Sequence, residues 1–265
     1  MKQILVSMLR RLWLLPLAEQ MAFYRAVWRC RNSNKEFMAS NPGYLPPPLW
    51  LLYESSGHAS LQGYDSSGEL IAAVLHKMIR NHAAPGALTV LDWGCGPARI
   101  IRHMRTLGPD MILFGSDYNP KSVKWLRETF TDMRFEQNGL EPPLPFEDGS
   151  LDVVYCLSVF THLSARMHTA WINDVERVLK PGGIFIGSFH GEECRYLLLD
   201  SEKRLFDKGE LVTRANVKEG SRLFCAYQPH PYLENILFQN FDVLQVTPNP
   251  VPGMAQTLWV VRKKS

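Results

Sequence analysis

The sequence predicts a doubly wound α/β domain, and three observations predict it. Short apolar runs alternate with amphipathic, helix-length stretches between residues 85 and 190. A glycine-rich turn joins the first of these runs to the stretch after it, and the last two runs of the chain are joined without a helix. Strands alternating with helices build a parallel sheet covered on both faces, whereas strands linked directly pair antiparallel. With 265 residues, 46% hydrophobic and 21% charged, the chain has the make-up of a folded globular protein with one substantial core.

Each element follows from local signals. Residues 1–45 read as a basic, helical N-terminal extension, closed by the stacked prolines of Pro46-Pro47-Pro48, which cannot continue a helix. Residues 46–265 form the second unit. In it Ser66 or Ser67 caps a helix over 69–81, with Leu70, Val74, Leu75 and Met78 on one face. Strands follow at 88–92, 111–116, 133–137, 152–157 and 184–189. Helices fall at 97–106, with Pro97 first, at 120–130 and at 164–179. Residues 200–226 fit no helical period and read as an inserted hairpin or lid. A helix over 231–239 then precedes strands at 241–247 and 256–262.

Charge and cysteine usage narrow the function classes. The formal net charge of +3 does not mark a nucleic-acid binder, but residues 1–36 hold seven Lys/Arg against two Glu. Their apolar runs, Ile4-Leu5-Val6 and Leu12-Trp13-Leu14-Leu15, are split by Arg10 and Arg11 and followed by Pro16. That is too short for a membrane span, and no cleavage site for a signal peptide follows. Two readings stand for this segment: packing against the rest of the chain or a second subunit, as amphipathic stretches usually do, and contact with an anionic membrane surface. Five scattered cysteines without a C-x-x-C pair predict a reducing compartment, the cytoplasm, and no metal site.

The chemistry concentrates at Gly94-Cys95-Gly96. Glycines there remove the Cβ atoms that would block a ligand, and a helix N-terminus offers free amides. Asp92 stands at the strand end, and Asp117 ends the second strand, where an acid accepts both ribose hydroxyls of an adenosine. These features alone suit a dinucleotide or a purely structural turn as well. Arg99 occupies the place of the third glycine in G-x-G-x-x-G.

Four stretches together carry a resemblance. Residues 90–99 (Val-Leu-Asp-Trp-Gly-Cys-Gly-Pro-Ala-Arg), 143–152, 155–163 and 176–183 are similar, in order and interval, to the motifs of class I S-adenosylmethionine-dependent methyltransferases. Ala98 departs from the pattern, which often has glycine there. Softer likenesses at 46–48, 189–191, 226–229 and 257–263 resemble bacterial methyltransferases found near glycan and lipopolysaccharide biosynthesis genes.

The resemblance implies a Rossmann-like, seven-stranded sheet with an antiparallel last strand, and S-adenosyl-L-methionine as cofactor. It implies Asp92, Gly94, Cys95 and Gly96 around the methionine part, Asp117 on the ribose and Tyr118 beside the adenine. Asn138 and Gly139 would reach the adenine edge, and Cys156, Leu157 and Ser158 would close over the cofactor. His162 and His190, on the rim where an acceptor would lie, are base candidates for a small-molecule or glycan hydroxyl. A nucleic-acid acceptor is not expected, because Cys156-Leu157-Ser158-Val159 stands where base-methylating enzymes carry Asn/Asp-Pro-Pro-aromatic. A non-catalytic cofactor-binding protein is the alternative.

Overall fold

The computed structural model describes residues 15–214 and 217–264. Helices α1 (Leu15–Ser40), α2 (Leu49–Ser56) and α3 (Leu61–His82) precede the sheet domain. That domain runs β1 (Leu88–Trp93), α4 (Ile101–Leu107), β2 (Met111–Asp117), α5 (Pro120–Thr129), β3 (Arg134–Gln137), β4 (Leu151–Cys156), α6 (Ala165–Val178) and β5 (Leu179–Phe189). Helix α7 (Asp200–Phe206) and the short strands β6 (Val212–Arg214) and β7 (Cys225–Tyr227) come next, then β8 (Phe241–Pro248) and β9 (Thr257–Lys263).

The main sheet has seven strands in the order β3-β2-β1-β4-β5-β9-β8. Strands β1 to β5 are parallel, and β9 lies antiparallel between β5 and β8. This is the Rossmann-like methyltransferase architecture with its reversed last strand. β1 pairs with β2 on one side and β4 on the other, so a crevice opens beyond their C-terminal ends, where open α/β sheets bind ligands.

Alternation along β1 divides the core. Leu88 and Val90 pack with Leu75, Ile79, Ile101 and Met104, while Leu91 and Trp93 face Met167, Trp171 and Val175 on the other side. Both layers are buried, which is why β1 reads as a continuous apolar run. Among the described residues no helix is long and apolar enough to cross a membrane.

Several boundaries differ from the sequence reading, each for a local reason. Helix α3 begins at Leu61, not 69, and its cap is Ser60, whose Oγ accepts from the Gly63 amide at 3.1 Å. Ser66 and Ser67 lie inside the helix. Gly63 and Gly68, poor helix formers, hid the first two turns. Gly68 is needed there: a Cβ would stand 2.0 Å from the Arg99 carbonyl oxygen, so the glycine lets α3 pass against the motif turn. The buried stripe is Leu61, Tyr64, Ile71, Leu75, Met78 and Ile79, and Leu70 is 53% exposed.

Helix α4 starts at Ile101, not Pro97. Gly94, Gly96 and Ala98 take φ of +75°, +52° and +61°, and these left-handed residues keep the chain out of the helix until Ile100. The expected free helix amides are therefore absent from the turn. Gly94 and Cys95 instead donate to the Ser116 carbonyl at 2.8 and 3.0 Å. Within 200–226, α7 is a helix where none was expected, and β6 pairs antiparallel with β7. The helix expected over 231–239 is one short helix, His230–Tyr232, followed by a wide π turn, Leu233–Leu237.

Ala98 is fully buried at a φ that glycine tolerates and alanine pays for, with about 1 kcal/mol of strain. Ala98→Gly relieves that strain but loses a buried methyl (about 0.8 kcal/mol) and gains chain entropy when unfolded. Its expected urea-melt stability is within about 1 kcal/mol of the parent. Ala98→Val adds branching and volume and is expected to lose more than about 2 kcal/mol.

Helix α1 docks through Asn34, a buried residue whose Nδ2 donates to the Ala59 carbonyl at 2.8 Å while its Oδ1 accepts from the Leu61 amide at 2.9 Å. Phe23 meets Tyr53 edge-on, and Phe37 meets Tyr44. Residues 1–14, with the apolar runs and Lys2, Arg10 and Arg11 of the sequence reading, lie outside the described residues.

Candidate functional site

A cleft of about 900 Å³, mouth included, opens at the C-terminal ends of β1, β2 and β4. Of the sequence-predicted residues, Gly94, Gly96, Asp117, Tyr118, Asn138, Gly139, Leu157, Ser158 and His162 line it. Asp92, Cys95, Cys156 and His190 do not.

Gly94 lies against Val159; a Cβ at that position would stand 2.5 Å from Val159 Cγ2. Asp117 Oδ2 accepts from the Gly96 amide at 2.9 Å and Oδ1 from the Asn119 amide at 2.8 Å. The acid thus ties the glycine turn to the end of β2. Burial pushes its pKa up to about 6 against the pull of those two amides. Two buried polar atoms of lining residues, Asn138 Oδ1 and Ser122 Oγ, have no partner among the described residues. An unpaired buried acceptor costs about 1–3 kcal/mol, so these atoms call for a ligand donor or water. Asn138 Nδ2 donates to the Gly139 carbonyl, which fixes the amide's orientation.

A segment of the insertion covers the opposite wall. Tyr118 Oη donates to the Gly220 carbonyl at 3.2 Å, and the Gly220 amide donates to the His162 carbonyl at 2.9 Å. His162 Nδ1 bonds the Phe224 carbonyl at 2.7 Å. That bond places the ring proton on Nδ1 and leaves Nε2 as an acceptor. Burial, ahead of the nearby Arg222 charge, lowers the His162 pKa below 6.5, so the ring is neutral at pH 7.

His190 sits behind this wall. Its Nδ1 bonds the Ala226 carbonyl at 3.0 Å and its Nε2 faces Gln256 Nε2 at 3.2 Å. Gln256 in turn bonds Ser158 Oγ, so the ring reaches the cleft only through those two residues. Burial brings its pKa down to about 4. Ser158 itself takes φ +60°, with its amide held by Ser188 Oγ at 2.7 Å, a strained position at the cleft edge. Cys95 and Cys156 are buried in the two core layers, where burial holds both thiols far above the usual range.

Asp92 lies at the end of β1 behind the turn. Its Oδ2 has no hydrogen-bond partner among the described residues, and burial pushes its pKa up to about 7, with the Tyr155 hydroxyl and Arg99 pulling it down. Both raised carboxyls have the same consequence. The folded state holds their protons more tightly than the unfolded chain, so stability is expected to fall as pH rises from about 4 to about 7. Urea melts across that window, repeated on Asp92→Asn, check this; an unchanged slope in the variant would remove Asp92 as the larger source.

The sequence reading missed part of the wall. Leu51, Glu54 and Ser55 come from α2, eight residues that follow the prolines and carried no periodic signal. Arg222 lines the cleft while its guanidinium pairs with Glu19 of α1 and lies 4.9 Å from the Tyr53 ring centre. Trp93 lines the cleft, with its ring centre 4.7 Å from that of Trp171. Tyr64 is fully buried in α3 and does not line it. Among the described residues no cluster of His, Cys, Asp or Glu is grouped to hold a metal ion.

Residues 90–183 match a family described as a methyltransferase domain. An uncharacterised methyltransferase of Synechocystis is 30% identical over 107 residues, 40% of this chain and 49% of that protein. A tRNA N(3)-methylcytidine methyltransferase of Schizosaccharomyces pombe is 22% identical over 188 residues, 68% of this chain and 57% of that protein. The chain thus spans about half the length of these curated relatives. Among solved structures, a 1,6-didemethyltoxoflavin-N1-methyltransferase of Burkholderia thailandensis shares the fold with TM-score 0.54 and 15% identity, over 82% of this chain and 86% of that one.

Proposed function

We propose that the protein is an S-adenosylmethionine-dependent methyltransferase acting on a small-molecule or glycan hydroxyl, with His162 as the base. The observation that carries the cofactor half is the convergence of Asp117, the glycine turn and the unpartnered Asn138 Oδ1 on one cleft at the sheet's switch point. These residues fit an adenosine. Asp117 supplies acceptors for ribose hydroxyls, Asn138 Oδ1 an acceptor for an exocyclic amine, and Tyr118 an aromatic wall. Asp92 lies buried behind the turn and does not itself reach the cleft. When bound, S-adenosylmethionine supplies a methyl group on a sulfonium primed to leave.

The chain's own task is then alignment, exclusion of water and removal of the acceptor proton. His162 Nε2, unprotonated in the tautomer set by Phe224, takes that proton. The covering segment 217–224 and Trp93 narrow the cleft against water.

Calorimetric titration with S-adenosylhomocysteine and with NAD tests the cofactor half; binding of NAD alone overturns it. Transfer of label from the cofactor to a panel of glycans tests the acceptor half. The tRNA-modifying relative favours one second reading, a nucleic-acid acceptor, so a tRNA arm belongs in the same assay.

A further inference from the structure

Helix α1 has an outward face that the other described residues leave bare. Leu17, Met21, Tyr24 and Trp28 recur at i, i+4, i+7 and i+11, so they form one stripe about 16 Å long. Their exposures are 59%, 62%, 62% and 65%. Soluble surfaces scatter large apolar side chains singly; four in register on one helix mark an interaction site.

Cations border the stripe. Arg25, Arg29, Arg31 and Lys35 are exposed, and among the described residues none of the four joins an ion pair. Arg31 lies over the Trp28 ring, 4.5 Å from its centre. Of the helix's two acids, Glu19 is turned inward onto Arg222. A groove lined by Val27, Arg31, Lys35, Met38 and Trp125 continues the same mixture of apolar and basic groups.

We propose that this face docks the protein on an anionic lipid bilayer, with α1 lying flat in the headgroup region. Trp and Tyr favour that interface, and unpaired arginines and lysines complement its negative potential. A second copy of the chain fits less well, because self-pairing of the stripe brings the basic borders of both copies, Arg25 and Arg29 of each, into one interface. In the sequence, residues 1–14 add Lys2, Arg10 and Arg11 among further leucines. Because α1 also holds Arg222 at the cleft through Glu19, docking sets the cleft near the membrane. Only that consequence rests on the proposed methyl transfer, where it favours a lipid-linked glycan as acceptor.

The test is co-sedimentation of the full chain with vesicles. Binding is expected to mixed phosphatidylcholine–phosphatidylglycerol vesicles and to be lost on pure phosphatidylcholine. Tyr24→Ser with Trp28→Ser is expected to weaken binding by more than about tenfold, and each of Arg25→Gln and Arg29→Gln by about fivefold, with high salt acting the same way. Unchanged affinity for S-adenosylhomocysteine in these variants keeps the docking result separate from the cofactor result. Equal binding to both vesicle types, or parental binding by the double serine variant, overturns the proposal. So does a dimer in sedimentation velocity that the double variant abolishes while vesicles fail to bind.

Discussion

Asp117→Ala is expected to weaken S-adenosylhomocysteine binding by about 100-fold or more. A buried carboxylate accepting two ribose hydroxyls contributes about 1.5–3 kcal/mol per bond, and both bonds go at once. The same change strips the Gly96 and Asn119 amides of their acceptor. Two orphaned donors cost about 1–3 kcal/mol each, so the melting temperature falls as well. Asp117→Asn separates the two effects, since it keeps one acceptor for the turn and loses the charge.

The pH dependence has a definite sign. Burial raises the Asp117 pKa to about 6, so its acceptors weaken as pH drops through that value, and ligand affinity is expected to fall below it. Calorimetry on the folded variants from pH 5 to pH 8 is the check. Binding by folded Asp117→Ala at the parental level would remove Asp117 from the cofactor site.

The same acid illustrates what the sequence made legible. Asp117 and the Gly94-Cys95-Gly96 turn were readable because each marks a strand end at a fixed interval, and parallel strands bring consecutive C-terminal ends to one edge. The antiparallel end was readable from the helix-free link between the last two strands. What stayed hidden depends on tertiary placement. Arg222 is a charged residue in an insertion until Glu19, 203 positions away, is seen to hold it at the cleft. Gly68 looks like a flaw in a helix until the Arg99 carbonyl is found where its Cβ would be. His162 and His190 are both base candidates in the sequence. Only the backbone path places the first on the cleft and the second behind Gln256 and Ser158.

That difference between the histidines gives the second large effect. His162→Ala is expected to lower kcat by about 10²–10³-fold, the usual contribution of a general base, with cofactor affinity changed less than about threefold. His190→Ala is expected to act weakly on kcat, because its ring reaches the cleft only through other side chains. Removal of the His162 ring also breaks the bond to the Phe224 carbonyl and loosens the covering segment, so alanine alone does not separate base from tether. His162→Asn does, because its amide keeps a donor for Phe224 and offers no basic nitrogen of imidazole strength. If the ring is the base, asparagine is as slow as alanine. The acid limb of the parental rate profile then lies below pH 6.5, where burial puts the His162 pKa, and disappears in both variants. Recovery of activity by asparagine would instead make His162 a tether and leave proton removal to another group.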